Sequence, residues 1–221
     1  MNMVQILQTG VGVLFPGNCA ICDRHQISHP LPICEKCKMK LLSEKPLPVM
    51  SSARLRKIWS CLPYEGAVKE CIRHFKYSGR KQLIPLFKDL MWNFLKEDNV
   101  PRPTASLIVP VPIHPIRRMS RGYNQSELIS KILSGLVHVP FSMDNLIKIK
   151  NTPPQTELSK SARIKNLRGS FLAPRPSRVS GRSILLADDV MTTGATLEAC
   201  AKELLRAGAK SVSAFTIART L

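Results

Sequence analysis

Two groupings of side chains in this 221-residue chain could do chemistry. The first is Asp188-Asp189, which follows the apolar run 184–187 and precedes Val190-Met191-Thr192-Thr193-Gly194-Ala195-Thr196. Neighbouring carboxylates can accept hydrogen bonds from vicinal sugar hydroxyls. The Thr hydroxyls and main-chain N–H groups of 192–196, opening a helix N-terminus, suit a phosphate. A strand-end Asp can also simply cap a helix or face solvent, a reading that the full pattern from 184 to 196 weakens. The second grouping is Cys19-x2-Cys22 followed by Cys34-x2-Cys37. Two such pairs complete a tetrahedron of thiolates at Zn–S distances of about 2.3 Å, a closed structural site with no position for water. His25 and His29 lie between the pairs, as substitute ligands or as solvated loop residues. Redox CxxC chemistry is the rival, and the doubling of the motif argues against it.

These groups need elements to hold them. The run 184–187 has β propensity and ends in the acids, and 197–207 reads as a helix closed by Gly208. Further strands are expected over 58–64, 107–111 and 211–217. Helices are expected over 34–42, 65–77, 82–94 and 124–136. In 65–77 the apolar positions Val68, Cys71, Ile72 and Phe75 recur at helical spacing, and Gly79 stops the pattern. Strands and helices in this alternation fit one α/β core plus a small appendage. Cys61, Cys71 and Cys200 sit in apolar patterns and read as core.

The charge is the unusual feature of the composition: 33 Lys and Arg against 15 Asp and Glu, a net +18. Such a chain has anionic partners, whether phosphates, nucleic acid or a membrane surface. The apolar stretch 3–15 is too short to span a bilayer and lacks the flanks of a signal peptide, so it reads as a short helix packing on its own protein. Seven cysteines, an odd number, argue against a secreted disulfide framework, and the expected compartment is the cytoplasm.

Two basic stretches stand out. The loop expected over 112–122 carries Arg117, Arg118 and Arg121 with no adjacent acid, after a strand whose C-terminal end is where an open parallel sheet binds ligands. Guanidinium forks suit phosphate oxygens, although loop arginines can equally be solvated. From 148 to 182 there are nine Lys or Arg and one acid, Glu157. A long polar segment inside a compact domain reads as a mobile lid over a polyanion or as a solubilising excursion, with a short helix expected over 159–166. Lys76 is a candidate cation for the site, and Phe75, Tyr77 and Tyr123 are the aromatic residues placed to stack on a base.

Taken together, the four-cysteine knuckle, Tyr-Glu-Gly…Lys-Tyr-Ser-Gly (64–79), Val-Pro-Val-Pro-Ile-His-Pro…Arg-Gly-Tyr-Asn-Gln (109–125), Asn-Thr-Pro-Pro-Gln…Asn-Leu-Arg-Gly-Ser-Phe (151–171) and Asp-Asp-Val-Met-Thr-Thr-Gly-Ala-Thr (188–196) resemble the ComF family. These are the ComF/GntX-type, amidophosphoribosyltransferase-like proteins. The resemblance covers nearly the whole chain. It implies a type I phosphoribosyltransferase fold, a mostly parallel sheet of about four or five strands flanked by helices, with an N-terminal helix and zinc module over 1–50 and a phosphoribosyltransferase-like domain over 51–221. It also implies a link to natural competence: handling of incoming single-stranded DNA in the cytoplasm beside proteins of the uptake machinery.

Carried over by position, Asp188 and Asp189 would hold the ribose hydroxyls of phosphoribosyl pyrophosphate (PRPP), and Val190, Met191, Thr192, Thr193, Gly194, Ala195 and Thr196 would complete its binding loop. Arg117, Arg121, Gly122, Asn124 and Gln125 would meet the pyrophosphate. Lys76, Tyr77, Lys160, Arg163, Lys165 and Arg168 would line the lid or a nucleic-acid path. Mg²⁺ would ride mainly on PRPP oxygens and water, and Cys19, Cys22, Cys34 and Cys37 would hold zinc.

One position departs from the purine-salvage members of the fold. Where they often carry a third carboxylate as general base, this chain has Thr192. Base salvage is therefore disfavoured. Three readings remain: a transferase with an unidentified acceptor, a non-catalytic single-stranded-DNA-binding protein, and a PRPP-sensing adaptor.

Overall fold

The computed structural model describes residues 17–24, 26, 27, 31–151, 167 and 169–221. Its centre is a parallel sheet of four strands in the order β3-β8-β7-β4: β3 Ile58–Pro63, β4 Leu107–Pro110, β7 Ser183–Met191 and β8 Ser211–Arg219. The inner strands β7 and β8 are largely buried on both faces, as strands sandwiched between helix layers must be. Beyond β4, Phe141 makes a one-residue parallel bridge to Ile108, so a fifth strand position exists in rudiment.

Helices cover both faces. On one side α2 (Gly66–Tyr77), α3 (Ile84–Lys96) and α5 (Gln125–Val137) bury Phe75, Phe87 and Ile129 against Trp59, Ile108, Leu185 and Phe215. On the other, α6 (Ala195–Arg206) buries Leu197, Cys200 and Leu204 against Leu186, Val212 and Ala214. A ribbon of β5 (Ile147–Lys148) and β6 (Phe171–Leu172) brings Phe171 and Leu146 into that same core. Val68, Cys71, Ile72 and Phe75 are the buried face of α2, as their spacing predicts.

The four-cysteine segment comprises the antiparallel pair β1 (Gly17–Asn18) and β2 (Gln26–Ile27), then α1 (Glu35–Leu42). It does not stand apart from the body. Cys19, Ile33, Cys34 and Leu41 belong to the same buried core as α2, α3 and β3, and Lys38 pairs with Asp89 of α3 at 3.3 Å.

Two expectations are corrected. The 112–122 stretch is not all loop: it contains α4, Pro115–Arg121. Pro115 presets the first helical φ, the His114 ring accepts the Ile116 N–H, and Gly122 ends the turn at φ 76°. The strand expected to stop at 187 runs on through the acids to Met191, paired with β8 as far as Arg219. The helices expected over 3–15 and 159–166 lie outside the described residues.

Candidate functional site

The acid pair lies in the C-terminal half of β7, at the sheet edge where open parallel sheets bind ligands. Because side chains alternate along a strand, the two carboxylates leave opposite faces, and their surroundings differ accordingly. Asp189 is 4% exposed, and its Oδ1 meets the Lys76 ammonium, from the last turn of α2, at 2.9 Å. Burial works against the charge on Lys76, but Asp189 and Asp188 outweigh it and hold the ammonium above its ordinary pKa. Asp188 is half-buried. Its Oδ1 accepts the Ser126 hydroxyl of α5 at 2.8 Å and the Asp189 N–H at 2.9 Å. Burial, and then the neighbouring Asp189 charge, push it up to about 7, against the opposing pull of Lys76.

Downstream, Thr192 is exposed and Gly194 turns the chain at φ 74°. The Thr193 hydroxyl accepts the Ala195 N–H at 3.5 Å, so a hydroxyl-bearing turn leads straight into the N-terminus of α6. Val190 is half-buried, Met191 is buried, and Thr196 lies on the first turn of α6.

The residues of the basic loop converge here from the neighbouring strand. Asn124 caps α5 through the Ser126 N–H and anchors itself on the Val111 carbonyl at 3.1 Å. This places Ser126 under Asp188. Arg121 reaches the Gln125 side chain at 3.4 Å, and its guanidinium stacks 5.0 Å from the ring centroid of Tyr77. The Gln125 amide nitrogen is buried with no partner. Arg117 is half-buried on α4, where burial and then the Arg121 charge lower its pKa.

Of the three aromatic candidates for stacking, only Tyr77 is available, at 70% exposed. Phe75 is buried, and so is Tyr123, whose hydroxyl donates to the Phe75 carbonyl. Lys160, Arg163, Lys165 and Arg168 lie outside the described residues, as do His25 and His29.

Two residues join the site without having been expected there. Ser126 is found only once α5 is placed against β7. Lys148, on β5, faces inward with its ammonium 5.5 Å from the Phe171 ring centroid. Its pKa is lowered by burial and then by Arg117, and Asp188 pulls it back. Arg117, Arg121 and Lys148 thus form a cluster of like charge beside an acid pair, an arrangement suited to a polyanion. A separate cavity of about 200 Å³ lies between α1, β3 and α3, lined by Leu41, Cys61, Leu90 and Phe94, and does not reach the acids.

The four thiols lie within 4.8 Å of one another, with the Cys22 and Cys34 sulfurs 3.9 Å apart. Tetrahedral zinc requires S···S edges of about 3.8 Å, so the donor set fits. Burial opposes the Cys19 thiolate, but the N–H groups of Cys22, Cys34 and Ile21 overcome it and bring its pKa down to about 6. Burial and the neighbouring thiols push Cys37 far up. Four thiolates cannot share this space without a cation among them, and the cluster could hold zinc.

Residues 122–220 match the family model of the phosphoribosyl transferase domain. Competence protein ComFC of Bacillus subtilis (strain 168) is 32% identical over 204 residues, covering 91% of this chain and 78% of that protein. DNA utilization protein YhgH of Escherichia coli (strain K12) is 30% identical over 214 residues, covering 93% and 91%. The chain belongs to the ComF family. Among solved structures, a glutamine phosphoribosylpyrophosphate amidotransferase from B. subtilis, complexed with ADP and GMP, aligns at 20% identity and TM-score 0.39. That alignment covers 60% of this chain and 25% of the other.

In this ComF-family chain the matched domain begins at Gly122 and takes in α5, β7, α6 and β8. Asp188, Asp189 and Ser126 therefore lie inside it, while Lys76 and the cysteine cluster lie before it. Among the described residues no helix is long and apolar enough to cross a membrane.

Proposed function

We propose that the chain binds PRPP with Mg²⁺ and transfers its phosphoribosyl group, within the handling of incoming single-stranded DNA in the cytoplasm. The observation that carries this reading is the acid pair on the central strand, followed by a hydroxyl-bearing turn into a helix N-terminus. Asp188 and Asp189 hold the ribose hydroxyls. Residues 190–196 cradle the 5-phosphate with main-chain N–H groups and the hydroxyls of Thr192, Thr193 and Thr196. Arg117, Arg121, Gly122, Asn124 and Gln125 meet the pyrophosphate. Mg²⁺, carried on PRPP oxygens, supplies charge neutralisation when bound.

In the reaction the bond from C1 to the pyrophosphate oxygen breaks, pyrophosphate leaves with the electron pair, and the acceptor's nucleophile bonds to C1. The loop cations stabilise the charge developing on the leaving group. Thr192 stands where a salvage enzyme often has a base, so the acceptor is one that needs no carboxylate there. The relatives' names, competence protein and DNA utilization protein, support the setting and suggest partner proteins of DNA uptake. The same reading assigns 1–50 to a zinc-holding module and 51–221 to the phosphoribosyl body.

Titration calorimetry with PRPP and Mg²⁺ tests it: wild type binds, and Asp188→Asn/Asp189→Asn loses at least about tenfold, the loss of one good charge-assisted contact. Equal affinity in the two proteins rejects the assignment.

One observation favours a second reading, in which the chain binds single-stranded DNA without turnover. Tyr77 exposes a ring backed by Arg121, beside the other cations of a chain with net charge +18. Each phosphate contact on a single strand contributes about 0.7 to the salt slope of binding, so Arg117→Gln/Arg121→Gln should flatten that slope by about 1.4. An unchanged slope removes these arginines from the DNA path.

A further inference from the structure

Helix α2 touches both special regions of the molecule. Near its middle, Cys71 is buried in the same core as Cys19, and one turn later the His74 ring, its Nδ1 3.3 Å from the Ser78 hydroxyl, lies close to the Ala20 backbone, between Cys19 and Cys22. Ala20 is itself fixed by its N–H to the Pro32 carbonyl at 2.9 Å, and Cys34 donates its N–H to the Cys19 sulfur at 3.3 Å. One residue past His74, the Phe75 side chain is fully buried and its carbonyl takes the Tyr123 hydroxyl. The next residue is Lys76, 2.9 Å from Asp189. Cys71 and Lys76 are separated by about 7.5 Å along a helix rising 1.5 Å per residue. The intervening turn is packed in the core that also contains Cys19 and Cys34.

We propose that the cysteine cluster positions Lys76: with its metal bound, the Cys19–Cys22 knuckle seats against Cys71 and His74, and that seat holds the last turn of α2 so that the ammonium meets Asp189. His74 is the positioning residue. The geometry leaves little slack, because close-packed interiors transmit displacement rather than absorb it. A shift of α2 by about 1 Å would carry the Lys76–Asp189 contact to the limit of an ion pair, about 4 Å. Metal occupancy then sets how far the charge of the acid pair is neutralised, which couples the N-terminal cluster to the candidate sugar-phosphate site. The inference rests on the zinc reading of the four cysteines and does not require that PRPP be the ligand.

The test reads Lys76 directly. The full-length chain, its zinc content measured first, is acetylated with a limiting pulse of acetic anhydride, and the rate at Lys76 is followed by peptide mass spectrometry before and after chelation. Amide exchange of β7 and β8 is recorded in parallel. Metal removal should raise the Lys76 rate at least about fivefold, the low end of site-to-site coupling, with β7 and β8 still protected. With zinc retained, His74→Ala should raise the rate at least about twofold, the low end for a residue lying between two coupled sites, and His74→Gln, which keeps a donor, should restore it. An unchanged Lys76 rate in zinc-free protein or in His74→Ala overturns the coupling while leaving the zinc site in place. Loss of protection in β7 and β8 also overturns it, since the metal would then stabilise the whole chain and not position one residue. A chain that takes up no zinc overturns the metal assignment and the coupling together.

Discussion

Removing Lys76 is the sharpest perturbation of the site. Its ammonium and Asp189 Oδ1 are 2.9 Å apart, with side chains 23% and 6% exposed. At an effective dielectric of about 20, two unit charges at that separation attract by about 6 kcal/mol before desolvation is subtracted. Breaking a buried pair from one side costs about 3–5 kcal/mol, because the remaining charge is stranded. Lys76 keeps partial contact with water, so Lys76→Met should fall at the low end, about 3 kcal/mol, and lower the melting temperature by about 6–12 °C for a chain of this size. Asp189→Asn strands a better-solvated ammonium and should cost about 2 kcal/mol, while the double variant, with neither charge left, should also cost only about 2. The coupling in the cycle is then about 3 kcal/mol. Urea unfolding of the four zinc-loaded proteins at one pH measures it. A coupling below about 0.5 kcal/mol, the level expected of an exposed pair, would refute the claim that this ion pair is a buried fixture of the site.

Two other predictions bear on the cysteines and on Asp188. Elemental analysis should find one zinc per chain, and Cys37→Ser should weaken it by more than the roughly 10–100-fold that follows from disturbing a ligand's neighbours; undiminished zinc in the variant contradicts a four-thiolate site. Asp188, ordinarily near 3.8, is pushed up to about 7 by burial and Asp189. Between those values the folded chain retains a proton that the unfolded chain has released. Its contribution to stability is therefore full below about 3.8 and lost as pH rises through about 7. Unfolding free energy should decline more from pH 5 to 8 in wild type than in Asp188→Asn, and parallel profiles would refute the shift.

Much of the fold could be read from the chain because the signals were local and mutually consistent. Helical spacing in α2 predicts its buried face, and the apolar run before the acids predicts an inner strand. The limit came where a local pattern was outvoted by its neighbours. The acids look like a strand's end because they break the apolar run. Yet β8 continues alongside as far as Arg219, and its ladder carries β7 through Asp188 to Met191. Pro115 looks like loop punctuation and instead starts a helix, its missing N–H costing nothing in the first turn.

Lys148 shows why a site can hide in plain alternation. In Leu146-Ile147-Lys148-Ile149 the usual expectation puts isoleucine inside and lysine outside. Here Ile147 and Ile149 are exposed while Leu146 is buried and Lys148 turns toward Arg117 and Asp188. The inversion follows from pairing: β6 brings Phe171 opposite Lys148, and Phe171 is the residue the core claims. An ammonium drawn inward beside Arg117 is unfavourable unless negative charge offsets it, and Asp188 supplies some of that charge. Within the like-charged cluster, burial and then neighbouring like charge lower the pKa of Arg117 and of Lys148, an arrangement that suits an anion larger than a carboxylate. That is the physical reason to look for a phosphorylated ligand on this edge of the sheet, and it holds whether the chain turns that ligand over or only holds it.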